Sequence, residues 1–160
     1  MAFYLSAQRK HDVVSASRRY REYLEQNKAA FPPSALELAT SDWYFDPQDH
    51  RCPHDAWLDS ITIGELAKGE RGQARATSIR IRLLGAYHDL ALEFYYPQVV
   101  GYELVSAACA RGLGDWLYDE FTLSEGGNVL HEIEWRGSAQ DEGSRWKICA
   151  CDVHFSWRPS

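Results

Sequence analysis

The spacing of apolar and polar positions changes along the chain. From about Asp12 to Ala30, Val13, Ala16, Tyr20, Tyr23 and Leu24 recur with Asn27 on one stripe, the spacing of a helix face. Arg18, Arg19, Arg21 and Glu25 fall mostly off that stripe. Pro32-Pro33 ends the pattern, because proline lacks the amide that a helix interior needs. Ser34-Ala35-Leu36-Glu37 has the form of a capping box, in which the Ser hydroxyl and the Glu carboxylate satisfy each other's amides. A short helix through about Ala39 is expected to follow.

Beyond this point the period falls to two. Ala56, Leu58, Ser60 and Thr62 alternate with Trp57, Asp59, Ile61 and Ile63. Ile79, Ile81 and Leu83 alternate with Arg80 and Arg82, and Leu90, Leu92, Phe94 and Tyr96 with Ala91, Glu93 and Tyr95. Leu117, Phe121 and Leu123 share a face, as do Val129, His131, Ile133 and Trp135 opposite Glu132 and Glu134. The last run sets Cys149, Cys151, Val153, Phe155 and Trp157 against Asp152, His154 and Ser156. Each is the pattern of a strand with one face buried.

Short connections join these strands: Gly85 to Asp89, Pro97-Gln98, and Glu125-Gly126-Gly127-Asn128, where Gly and Asn suit a hairpin. Neighbours joined this way are antiparallel, since parallel pairs need a long crossover. The expected fold is α+β: a curved antiparallel sheet of about six to eight strands, a meander or partial barrel, with an N-terminal helix on one face. The polar stretches Lys68 to Ala76 and Gly137 to Ser144 read as loops. The 160 residues read as one domain, 1–160, helical over about 12–40 and sheet over about 55–158.

Composition narrows the function classes. A formal net charge of −6 disfavours nonspecific binding to nucleic acid or an anionic membrane. It suits solubility and a basic protein partner. Cys52, Cys109, Cys149 and Cys151 form no CxxC pair, and reduced thiols in a cytoplasm are the simplest reading. The first ten residues lack the form of a signal peptide, and no apolar run reaches a membrane-spanning length.

Candidate chemistry gathers at Asp49-His50-Arg51-Cys52-Pro53-His54-Asp55. Pro53 pushes Cys52 toward an extended conformation, in which His50, Cys52 and His54 share a side. Adjacent members then lie ~7 Å apart, so two of them can grip one ion. A zinc site needs three or four ligands, and the further donors available are His88, His131, His154, Asp89, Cys149 and Cys151. A plainer reading gives these polar groups to the loop backbone. His88-Asp89 at a predicted hairpin also suggests a dyad, and His54-Asp55 and His88-Asp89 are expected to meet at one sheet edge. His131, on an apolar face, reads as a satisfied core histidine, His154 as solvated, and His11 as unpartnered. Arg111-Gly112-Leu113-Gly114-Asp115 has the glycines of a phosphate loop without its Lys or Ser/Thr. No G-x-S-x-G, H-E-x-x-H or EF-hand pattern occurs.

The leading expectation is a non-catalytic, acidic, cytoplasmic interaction module. Its recognition face would comprise Asp115, Asp119, Glu120, Glu132 and Glu134, with Trp116 and Tyr118 as aromatic anchors. Arg9, Lys10, Arg18, Arg19 and Arg21 would form an opposite basic patch. An antidote, or immunity protein, covering a basic toxin is one role of this kind. No cofactor is expected on this reading. One alternative is a zinc-binding domain or metal-dependent hydrolase using His50, Cys52, His54 and His88. Another is a small-ligand binder with a pocket lined by Phe94, Tyr96, Phe121 and Trp135.

Overall fold

The helical stripe forms α1 (Val13–Asn27), which buries Ala16, Tyr20 and Leu24. Asp12 caps it by accepting from the amides of Val14 at 3.0 Å and Ser15 at 3.1 Å. The computed structural model describes residues 3–5, 12–67, 69–107, 112–136 and 143–160. Arg9, Lys10, His11, Lys68, Cys109, Arg111 and positions 137–142, which entered the sequence reading, lie outside the described residues.

α2 (Pro33–Thr40) begins two residues earlier than the capping-box pattern implies. Pro33 takes the first helical position, where its missing amide costs nothing. Ser34 is then already inside the helix, and the expected Ser34–Glu37 box does not form. A residue far along the chain supplies the cap instead. Asp152 accepts from the amides of Ser34 at 3.2 Å and Ala35 at 2.9 Å. A 3-10 turn (Asp42–Phe45) follows α2 and buries Tyr44.

Eight antiparallel strands complete the α+β fold: β1 (Trp57–Leu66), β2 (Ala76–Leu84), β3 (Leu90–Tyr96), β4 (Val99–Val105), β5 (Trp116–Leu123), β6 (Val129–Trp135), β7 (Arg145–Ala150) and β8 (His154–Pro159). They form two four-stranded sheets, ordered β1-β2-β3-β8 and β4-β7-β6-β5, and the sheets do not close into a barrel. The alternation pattern suggested one long final strand and none after Pro97. The structure instead bends a two-stranded ribbon between the sheets. Tyr95 pairs with His154 on one side of the bend and Val99 with Ala150 on the other. At the corner Gln98 has φ of 47°, and its carbonyl accepts from the Cys151 amide at 3.3 Å. Strands that switch sheets do so at such bends. The bend resets the alternation, so Trp146, Ile148 and Ala150 face inward and Cys149 faces out.

The inner faces share one core, which includes Ile79, Ile81, Leu83 and Leu92 from the first sheet and Ile133, Trp135, Trp146 and Ile148 from the second. Burial of each such aliphatic or aromatic side chain stabilises the fold by roughly 1.5–3 kcal/mol. Phe94 on β3 stacks on Trp116 on β5 at 5.2 Å, across the sheets.

The four sheet edges differ. α2 packs against both β8 and β5. α1 runs beside β5 and fills that strand's unpaired backbone groups with tyrosine hydroxyls. Beyond β2 and β7 respectively, β1 and β4 have no strand partner among the described residues.

Candidate functional site

The stretch 49–56 is a row of staples that tie it to the 3-10 turn, the β2–β3 turn and β5. Asp49 holds its neighbour Arg51 through the Arg amide at 2.9 Å and the guanidinium at 2.7 Å. That guanidinium lies 4.6 Å from the centre of the Trp43 ring. His50 Nδ1 contacts Asp89 Oδ2 at 2.6 Å, and its ring stacks on Tyr87 at 4.0 Å. Cys52 Sγ donates to the Tyr44 carbonyl at 3.1 Å, and burial pushes its thiol pKa up to about 12. His54 Nδ1 donates to the Leu117 carbonyl at 2.5 Å. Asp55 accepts from Arg136 at 3.0 Å, and its amide donates to the Trp116 carbonyl at 2.8 Å.

The donors of the metal reading are not gathered by this geometry. Among the described residues no group of three or more His, Cys, Asp or Glu is arranged to hold a metal ion. His50, Cys52 and His54 point to three separate partners, and His88 packs edge-on against Trp57 at 4.5 Å. The two His-Asp units do not meet as expected. The contact made is His50 to Asp89, between the loop and the β2–β3 turn.

A second polar cluster lies inside the core. His131 Nε2 contacts Asp119 Oδ2 at 2.7 Å, and His131 Nδ1 contacts the Tyr96 hydroxyl at 2.7 Å. Asp119 also accepts from the Tyr44 hydroxyl at 2.5 Å and from Trp116 Nε1 at 3.0 Å. Burial raises the Tyr44 and Tyr96 phenols well above the usual range. The order acid, imidazole, hydroxyl is that of a nucleophilic triad. Here, however, His131 and Tyr96 are 0% exposed and each member already serves another. The cluster satisfies buried polar groups and fixes one packing of the core.

The expected acidic face is split. Cross-strand register places Tyr118 opposite Glu134 and Glu120 opposite Glu132, all on the outer side of the second sheet. Asp119 turns inward by alternation with Phe121, and Trp116 turns inward because the register shifts between Trp116 and Tyr118. Trp116 is 0% exposed, so it is no surface anchor. Glu120 and Glu134 are buried as well, and Glu132 lies 3.6 Å from Lys147. Asp115 lies in the turn before β5, 3.9 Å from Arg136. The glycines before it are structural. Gly114 has φ of 80°, and an added Cβ would come within 2.0 Å of the Arg136 carbonyl oxygen.

The expected pocket inside the curved sheet is filled. Phe94, Tyr96, Phe121 and Trp135 are buried against one another and their neighbours. A cleft of about 800 Å³ opens elsewhere, between α1, the 3-10 turn and the start of β5, with Cys52 and His54 in its wall. On the outer side of the first sheet Arg80 and Arg82 both pair with Glu93, the cross-strand arrangement their alternation suggests.

Exposed large apolar side chains gather on the edge strands β1 and β4, and Trp157 on β8 is exposed as well. β1 exposes Trp57, Ile63 and Leu66, and β4 exposes Val100, Tyr102 and Val105. Alternation alone could not single these out, because a strand's place in the sheet order is a long-range property. Compared with known proteins, the chain matches no family model, and no curated protein or solved structure matches it either. Among the described residues no helix is long and apolar enough to cross a membrane.

Proposed function

We propose that this chain is a non-catalytic module that binds another protein, through its open sheet edges. The observation that carries this reading is the contrast between the edges. The chain closes the edge of β5 with tyrosine hydroxyls, yet leaves apolar side chains exposed on β1 and β4. An uncovered apolar edge is a template for strand addition, which natural proteins otherwise blunt. The groups that resemble catalytic machinery support the same reading, since His131, Asp119 and Tyr96 serve one another in the core. A net charge of −6 suits a basic partner, and an antidote role against a basic toxin is one form of such binding. The free thiols of Cys52, Cys149 and Cys151 suit a cytoplasmic setting.

The test is affinity capture with the wild-type chain beside Val100→Lys/Tyr102→Lys on β4 and Ile63→Lys/Leu66→Lys on β1. A protein retained by the wild type, lost with one edge variant of unchanged melting temperature, and rebuilt with the purified partner at fixed stoichiometry supports the reading. Equal retention by all three chains sinks it.

The cleft beside α1 favours a second reading, small-ligand binding, because its volume falls in the range of ligand pockets. A thermal-shift screen decides this. Stabilisation by a compound in the wild type, lost in Leu36→Trp, supports it, and no stabilisation across a broad library counts against it.

A further inference from the structure

We propose that Phe3–Leu5 form a pH-released latch over the outer side of the second sheet, with the carboxyl of Glu120 as the group that senses pH. Glu120 points away from the core, in register with Glu132, and yet it is 0% exposed. The N-terminal segment reaches it there. The amides of Phe3 and Tyr4 both donate to Glu120 Oε2, at 2.8 and 2.7 Å. Glu120 Oε1 is buried with no hydrogen-bond partner. Aromatic contacts hold the latch down: Phe3 lies 5.1 Å from Tyr23, and Tyr4 stacks on Phe45 at 5.3 Å.

The charged and titratable groups facing Glu120 come from each element packed on it. They are Glu132 on β6, Asp119 beside it on β5, Tyr4 on the latch and Tyr20 on α1. No cation pairs with it among the described residues. Lys147 lies beyond Glu132, and Arg21 acts on Tyr4. Burial raises the Glu120 pKa from 4.5 to about 7, Glu132 and Asp119 add to the rise, and the two amide bonds oppose it.

The sign follows from that direction. A carboxyl whose folded pKa is raised favours the closed state fully below its unfolded value, and that contribution is lost as pH rises through about 7. The ionised group is relieved by hydration, and the latch is the cover whose amides reach it. Release would uncover Glu120 beside Glu132, so pH would govern whether the Glu120 carboxylate is presented.

Amide exchange on the full chain, measured by NMR between pH 6 and 8.5 and corrected for intrinsic rates, tests the latch. The opening constant of the Phe3 and Tyr4 amides should rise about tenfold or more across that range. Its midpoint should lie near pH 7. Glu120→Gln should make their protection independent of pH, and Glu132→Gln should lower the midpoint. Protection that is flat in the wild type, or equally pH-dependent in Glu120→Gln, overturns the proposal. Should Glu120→Gln fail to fold, carbon-13 titration of the wild-type Glu120 carboxyl decides. A titration above pH 6 that coincides with loss of amide protection supports the latch, and one near the ordinary value of 4.5 overturns it.

Discussion

The Tyr20 hydroxyl closes the free edge of β5 at Phe121, accepting from the Phe121 amide at 2.8 Å and donating to its carbonyl at 2.9 Å. A helix side chain here stands in for a neighbouring strand. Tyr20→Phe keeps the ring and strips both bonds, leaving a buried amide and carbonyl unpaired. Unfolding free energy in urea should fall by about 2–4 kcal/mol. Tyr23→Phe, which removes one acceptor from the Leu123 amide, should cost about 1 kcal/mol. Equal losses would show that the bonds at Phe121 contribute nothing special.

Asp119 accepts from Tyr44, Trp116 and His131 at once. In Asp119→Asn the amide nitrogen must face at least one of these donors. A loss of about 3 kcal/mol is expected, with altered near-ultraviolet circular dichroism from Trp116. A variant as stable as the parent would mean that water or a shifted ring takes over the role.

The α2 cap gives a paired test. Asp152→Ala should destabilise the protein by about 1 kcal/mol, the usual worth of an N-cap. Ser34→Ala should be nearly neutral, because no side chain from the helix start caps it. The reverse ranking in thermal melts would restore the capping box.

Cys52 should resist alkylation. Its thiol is buried, donates to the Tyr44 carbonyl, and has a pKa of about 12. Brief iodoacetamide treatment at pH 8, followed by peptide mapping, should modify Cys149 and Cys151 first and Cys52 only after denaturation. Early modification of Cys52 would reopen the stretch around it as a reactive site.

Much of this architecture is legible in the sequence. The change of period from helical to alternating gives α1 and the positions of β2, β3 and β6, because one buried face forces that spacing. Even the inward turn of Asp119 is written there, since it shares parity with Phe121 and Leu123. The inward turn of Trp116 is not, because a register shift flips the face without changing composition.

The sequence by itself determined the fold class, the antiparallel pairing of hairpin neighbours, and His131 as a core histidine. Those follow from local spacing and turn chemistry. Tertiary structure alone decided that Asp152 caps α2, that His50 meets Asp89 and not His88, and that the N-terminal segment buries Glu120. Each is a contact between residues far apart in the chain, fixed by how the elements pack together. No local pattern of polar and apolar positions encodes that geometry.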